Sequence, residues 1–423
     1  MIRKPLLVIT LLLAGCVASP ADSQPMRGMV DEYRRAGRPV QALYVVEALA
    51  RLDGWTNDLA YLAGDLYFDL GDLPSAVASW ERITDPDAAR LRDIARAQLT
   101  LERWSAARET LRRLVMRDSD DAWANMQLGM LELLWEPHRA GEHFGAAAVD
   151  SAYRERSMAL VTLLSAVATE APESRTLRLG LLLAEHREWA LAEAVLTEAV
   201  QLAPPFPEAL AALGFARVMR GRDGSRELLA AVALAPRDVR VRYFQGVAAR
   251  VLGDYAGAAD ALAQAIALEP ENPALYAELG QTYRAARDLQ QAERWLQRAI
   301  DVSNDDTRYR ELLATFYADE AENLTMDGVS ALQDLMDSVP PSADTQAGYG
   351  WVLYLMGDSA LGRDMVARAL VVDPANPRAR YYQARILLDD GQTVEAVSIL
   401  RDLANTPSQF AELAAITLQG LNP

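Results

Sequence analysis

Lysine is nearly missing from this chain of 423 residues: Lys4 is the sole example, and every other cation is an arginine. Beyond the first segment there is thus no lysine to hold a phosphate, form a Schiff base or act as a general base. Cysteine occurs once, at Cys16, so no disulfide forms within the chain and stability rests on packing. Histidine occurs three times, and the pair His138 and His143 lies five residues apart. That spacing turns the two rings by about 140° on a helix, whereas zinc-binding helices place two histidines four apart on one face. No glycine-rich phosphate loop, nucleophile elbow or calcium loop is present, and apolar residues never alternate over a strand-like run. These absences point to an all-α chain with no catalytic residues, no metal and no cofactor.

The charge is as one-sided as the cations are uniform. A net charge of −17 removes the basic surface that nucleic-acid binding needs. Apolar residues make up 51% of the chain and charged residues 24%, a balance suited to an ordered protein.

The start of the chain reads as a targeting segment. Arg3 and Lys4 precede the apolar run Leu6 to Leu13, which is too short to span a bilayer core of roughly 30 Å. Leu13-Ala14-Gly15-Cys16 follows, and it resembles the lipobox of bacterial lipoproteins. That resemblance implies a signal peptide over 1–15, cleavage before Cys16 and lipidation of its thiol. Several acyl chains on one residue give stable anchoring. Residues 16–25, with the small polar stretch Ala18 to Pro25, read as a lipidated tether. By analogy with lipoprotein sorting, Val17 after the cysteine implies an outer membrane, facing the periplasm, in a double-membraned cell. In a single-membrane cell it implies the outer face of the plasma membrane.

The remainder repeats itself. Val239 opens a unit with Gly246, Gly253, Ala258, Leu262, Ala265 and Pro270. Pro273 opens one with Gly280, Ala292, Leu296 and Ala299, each 34 residues after its counterpart. Ala343 opens another with Gly350, Gly357, Gly362, Val366, Ala369 and Pro374, echoed by Ala384, Gly391, Ala396, Leu400 and Leu403. Earlier units begin at Asn57 and Glu173, with a weaker one at Ser23. Each position has a physical sense. Small residues at the eighth and twentieth places let two helices approach, and a large one at the twenty-fourth fills the groove beside them. Glycine at the fifteenth suits a left-handed helix end, and proline at the thirty-second stops the second helix.

The pattern resembles the tetratricopeptide repeat, whose unit is two antiparallel helices. The resemblance implies a right-handed superhelical solenoid of about ten helix pairs. Its expected parts are an N-terminal array over 26–172, a C-terminal array over 173–406 and a capping helix over 407–423. Three irregularities stand out: an extra apolar helix from Ser157 to Thr169, a shortened second helix in the unit from Pro207, and a lengthened turn over Glu320 to Asp327. Asp118, Asp120 and Asp121, and Asp305 and Asp306, sit where helix N-caps are needed.

In the family, positions 2, 5, 9, 12 and 13 of the first helices line a concave groove. Carried over, they are Arg240, Tyr243 and Arg250 in one unit, Trp351 and Tyr354 in another, and Arg378, Tyr381 and Arg385 in the last. Near the anchor they are Asp58, Tyr61, Asp65, Phe68 and Asp69. Arginine with tyrosine or tryptophan is the composition of binding hot spots. The lysine and asparagine that chaperone-binding members use to clamp a carboxylate are absent there. The expected function is a membrane-anchored scaffold in the cell envelope, holding extended or helical segments of other envelope proteins. Assembly of a pilus or secretion system, or an adaptor for cell-wall enzymes, is the expected setting. The alternative is an extracytoplasmic receptor for a small ligand or glycan.

Overall fold

A computed structural model describes residues 23–304, 306–320, 332, 333, 336, 342–406, 408 and 410–421. The signal peptide, Cys16, most of the tether and nearly all of the expected long turn lie outside them. Every regular element among the described residues is an α-helix, and none is long and apolar enough to cross a membrane. The fold is the all-α solenoid of stacked helix pairs. By packing, the chain divides into two compact units, one ending at Pro204 and the other starting at Pro205.

The first unit holds five pairs and one unpaired helix. The pairs are α1 (Ser23–Arg35) with α2 (Pro39–Asp53), α3 (Asn57–Asp69) with α4 (Leu73–Trp80), and α5 (Ala88–Thr100) with α6 (Trp104–Arg117). After them come α7 (Ala122–Trp135) with α8 (Pro137–Ala147), then α10 (Pro172–Glu185) with α11 (Trp189–Leu202). Between these last two pairs lies α9 (Ser151–Val167), the expected extra helix. It starts earlier than its apolar stretch because Asp150 accepts the Ala152 N–H and caps it, which the charged first turn had obscured.

The second unit pairs α12 (Pro207–Met219) with α13 (Ser225–Leu234), α14 (Val239–Val251) with α15 (Tyr255–Leu268), and α16 (Pro273–Ala285) with α17 (Leu289–Val302). Then follow α18 (Thr307–Asp319), the pair α19 (Ala343–Leu355) and α20 (Ser359–Val372), the pair α21 (Pro377–Asp389) and α22 (Thr393–Ala404), and α23 (Phe410–Leu421). The short α13 is the shortened second helix. α23 packs on α22 and α21, and its Phe410 and Ala414 are buried there, as a capping helix should be.

Local chemistry explains why pairs form. Asp121 and Asp306 cap α7 and α18 as expected, and Asp72, Asp238, Asp254 and Asp288 do the same elsewhere. The turn inside a pair takes a left-handed residue. Glycine fills it at Gly71, Gly253, Gly357 and Gly391, but Glu102, Arg187 and Arg287 also sit there at φ 55–62°. Across each pair a missing Cβ makes room for a large side chain: one added to Gly246 would lie 2.7 Å from Leu262 Cγ, and one on Gly64 would enter the Trp80 ring. Backbone also approaches backbone between α19 and α20. There a Cβ on Gly362 would lie 2.6 Å from the Gly350 carbonyl oxygen and 2.7 Å from the Tyr354 nitrogen.

Candidate partner-binding surface

In the second unit the first helices of successive pairs touch one another: α12 meets α14, α14 meets α16, α18 meets α19, and α19 meets α21. Their shared side carries the expected binding residues, but the two ends of that side differ.

From α12 to α16 the side is open. Arg240 is exposed, and its Nη1–H donates to Glu208 Oε2 of the neighbouring first helix at 2.8 Å. Tyr243 is half-buried, edge-on to Phe244 at 5.3 Å, and Phe244 lies 5.7 Å from Phe215. Arg250 is half-buried and donates to Glu278 Oε2 at 2.8 Å. Each of the two arginines therefore faces a carboxylate from an adjacent helix, so a partner's acid would have to displace one already present.

From α18 to α21 the side is filled by its own side chains. Arg378 is 1% exposed and pairs with Asp319, while Asp319 Oδ2 also accepts from Arg284 Nη2 at 2.9 Å. Arg284 Nε donates to Glu320 as well, at 3.2 Å. Trp351 is buried, stacked on Tyr382 at 5.0 Å and on Tyr354 at 5.6 Å. The Arg385 guanidinium lies 5.1 Å from the Trp351 ring centre. Tyr381 is buried against Phe410, with its hydroxyl 3.3 Å from Thr417 Oγ1. Tyr354 stays half-buried, and its hydroxyl donates to Asp389 at 3.2 Å. In this conformation Trp351, Arg378 and Tyr381 are core residues rather than groove residues.

Small side chains on α19 permit this approach. Ala347 and Gly348 stand where α18 and α21 pass, and a Cβ on Gly348 would lie 2.4 Å from Ala318 Cβ. With nothing bulkier between them, α18 and α21 meet across α19: the Tyr382 hydroxyl reaches the Ala318 carbonyl at 3.5 Å beside the Arg378–Asp319 pair. Burial pushes the Tyr382 phenol up to about 12. Burial also opposes the charge on Arg378, but Asp319, Tyr382 and Asp344 outweigh it, and its pKa is raised.

The first unit builds three joints from arginine, tryptophan and acid. The Arg90 guanidinium lies 4.7 Å from the Tyr61 ring and 4.9 Å from the Trp80 ring. It pairs with Asp65 at 2.6 Å, and Trp80 Nε1–H donates to the same carboxylate at 3.1 Å. Arg92 and Arg96 cover Trp123, and Arg92 also pairs with Asp121. Arg108 lies over Trp135 and shares the fully buried Glu132 with Arg112. Glu136 faces Arg108, Arg139 and Arg112, and the Arg108 hydrogen bond leads in holding its carboxyl down to about 2. Of the stripe expected near the anchor, Asp58, Phe68 and Asp69 are exposed, while Tyr61 and Asp65 are engaged by Arg90. Sequence reasoning missed these joints because their ionic partners lie 20–29 residues apart, where the charges read as solvated faces.

His143 sits in the same region, its Nδ1 3.2 Å from Asn125 Oδ1, and burial lowers its pKa. No group of three or more metal-ligating side chains occurs among the described residues. An open cleft of about 650 Å³ lies between α1, α2 and α3, lined by Asp31, Arg34, Arg35 and Asp69 over Leu66 and Pro39.

Family models agree with the helix-pair reading. Two tetratricopeptide-repeat family models match, one over residues 252–315 and the other over 216–273 and 350–410. Over 288 residues, 67% of this chain, the sequence is 28% identical to cellulose synthase operon protein C of Xanthomonas axonopodis pv. citri. The chain spans only 17% of that protein's length. Among solved structures, yeast Tom70 aligns over 94% of each chain at 15% identity and a TM-score of 0.44. Pseudomonas aeruginosa pilF aligns over 50% of this chain and 97% of its own, at 17% identity and a TM-score of 0.39.

Proposed function

Because the chain carries tetratricopeptide repeats, we propose that it is a non-catalytic scaffold that binds other proteins through the first-helix side of its second unit. The observation that carries this reading is the open stretch from α12 to α16. There Arg240, Tyr243 and Arg250 combine exposed or half-exposed arginine with aromatic rings. Because each of the two arginines already faces a carboxylate, the fitting ligand is an extended or helical segment that carries both signs of charge.

The scaffold is proposed to be anchored by lipid on Cys16 and to work in the cell envelope. Its partners would be envelope proteins, in the assembly of a pilus or secretion system or alongside cell-wall enzymes. Replacing Arg240, Tyr243 and Arg250 together by alanine is expected to abolish capture of specific partners from envelope extract, with melting nearly unchanged. Recovery of the same partners by the triple variant refutes the assignment. Cys16→Ser is expected to release the protein from membranes; a variant that stays membrane-bound removes the anchor from the proposal.

A second reading, a receptor for a glycan, draws on the name of the cellulose synthase operon relative. Titration calorimetry with cello-oligosaccharides tests it, and the absence of heat at millimolar ligand would dismiss it.

A further inference from the structure

Within the first unit, neighbouring pairs are joined by arginine–carboxylate bridges. Arg90 of α5 reaches Asp65 of α3 at 2.6 Å over the Tyr61 and Trp80 rings, and Arg92 of α5 pairs with Asp121 ahead of α7. Between α1 and α3 the same ingredients are present without a bridge. Arg34 and Arg35 end α1, Asp69 ends α3, and with Asp31 they line the open cleft of about 650 Å³. Among the described residues, none of these four has a side-chain hydrogen bond or ion pair. A polar tie to α3 comes from α2 instead, where Glu47 accepts from the Tyr67 hydroxyl at 2.9 Å. Leu66 lines the cleft from below, and Phe68, next to Asp69, leans on Trp80 at 5.8 Å yet stays 51% exposed. In the neighbouring joint one guanidinium covers both ring and acid. Here the ring and acid at the end of α3 lack theirs.

We propose that the α1–α3 cleft is a second ligand site, which takes a peptide segment of a partner carrying an arginine with a carboxylate close beside it. The ligand's arginine pairs with Asp69 beside Phe68, as Arg90 pairs with Asp65 beside Trp80. Its carboxylate accepts from Arg34 and Arg35, whose forked guanidiniums suit that group. Exposed charges cost little while unpaired, but a segment that meets both walls gains charge-assisted hydrogen bonds on each. The incoming segment thus completes a joint that the chain leaves open. The site rests on the scaffold reading for a partner that carries such a segment. It uses no residue of the α12–α16 side, so the two can fail separately.

Fluorescence anisotropy of the full chain at low salt tests it with a labelled decapeptide, one arginine and one glutamate two residues apart in a glycine–serine frame. Saturable binding is expected, and a peptide with glutamine at both places should not bind. Arg34→Glu with Arg35→Glu, or Asp69→Asn alone, should weaken binding by about 10- to 100-fold with helicity unchanged. The Arg240, Tyr243 and Arg250 triple alanine variant should bind the probe as the parent chain does. No saturable binding at millimolar peptide, equal binding by the charge-reversed protein, or loss in the triple variant alone overturns the site.

Discussion

If the repeat depends on backbone-to-backbone approach rather than on helix propensity, two glycine-to-alanine changes should act with opposite sign. Gly362 lies in the interior of α20, where an added Cβ meets the Gly350 carbonyl oxygen at 2.6 Å and the Tyr354 nitrogen at 2.7 Å. Both obstacles are backbone, so relief requires α19 and α20 to separate by roughly 0.5–0.8 Å to regain van der Waals distance. Such overpacking costs about 1–3 kcal/mol, and the upper part of that range applies where no side chain can swing away. Alanine returns about 1 kcal/mol in helix propensity, so Gly362→Ala should lose about 1–2 kcal/mol net. Gly145, inside α8, has nothing within 4 Å of the same built atom, and Gly145→Ala should gain about 0.5–1 kcal/mol. Urea unfolding followed by far-UV circular dichroism separates the two through midpoint shifts at constant slope. A Gly362→Ala protein as stable as wild type would refute the close-approach account, whatever Gly145→Ala does.

Other expectations concern charge and turn geometry. Glu132→Gln removes the carboxylate shared by Arg108 and Arg112 and should cost about 3–5 kcal/mol in urea unfolding; a loss under about 1 kcal/mol would show that the two guanidiniums find other partners. Arg187→Gly, at a left-handed turn position, should raise stability by about 0.5–1 kcal/mol, and an unchanged midpoint would mean that the turn carries no strain. Glu136 has a carboxyl pKa lowered from 4.5 to about 2, so its contribution is complete above the ordinary value and is lost as pH falls toward 2. The difference in midpoint between wild type and Glu136→Gln should therefore shrink from pH 5 to about pH 2, and a difference that stays constant would show that the pairing does not matter.

The helix pairs were legible because their determinants are local or lie at a fixed repeat distance. Gly246 and Leu262, or Gly280 and Leu296, announce one another at a constant offset, and aspartates before each run mark helix starts. The left-handed turns were only partly legible, since Glu102, Arg187 and Arg287 do there what glycine does elsewhere. The binding side was legible as a list of positions but not as a surface. Arg378 and Arg240 occupy the same place in the repeat, yet one is buried beside Asp319 and Phe410 and the other meets solvent. That outcome depends on how three helices pass one another, which no single repeat encodes. The arginine–tryptophan joints escaped for a related reason: each draws its members from neighbouring pairs.

Those joints have a consequence for how the N-terminal unit tolerates rearrangement. Trp80 closes one pair, but the cation above it, Arg90, comes from the next, and Arg92 in turn reaches forward to Trp123 and Asp121. The pairs are thus keyed to their neighbours like differently cut links. A deletion or swap of one pair would leave an indole without its cation on one side and a guanidinium without its carboxylate on the other, even with every helix intact.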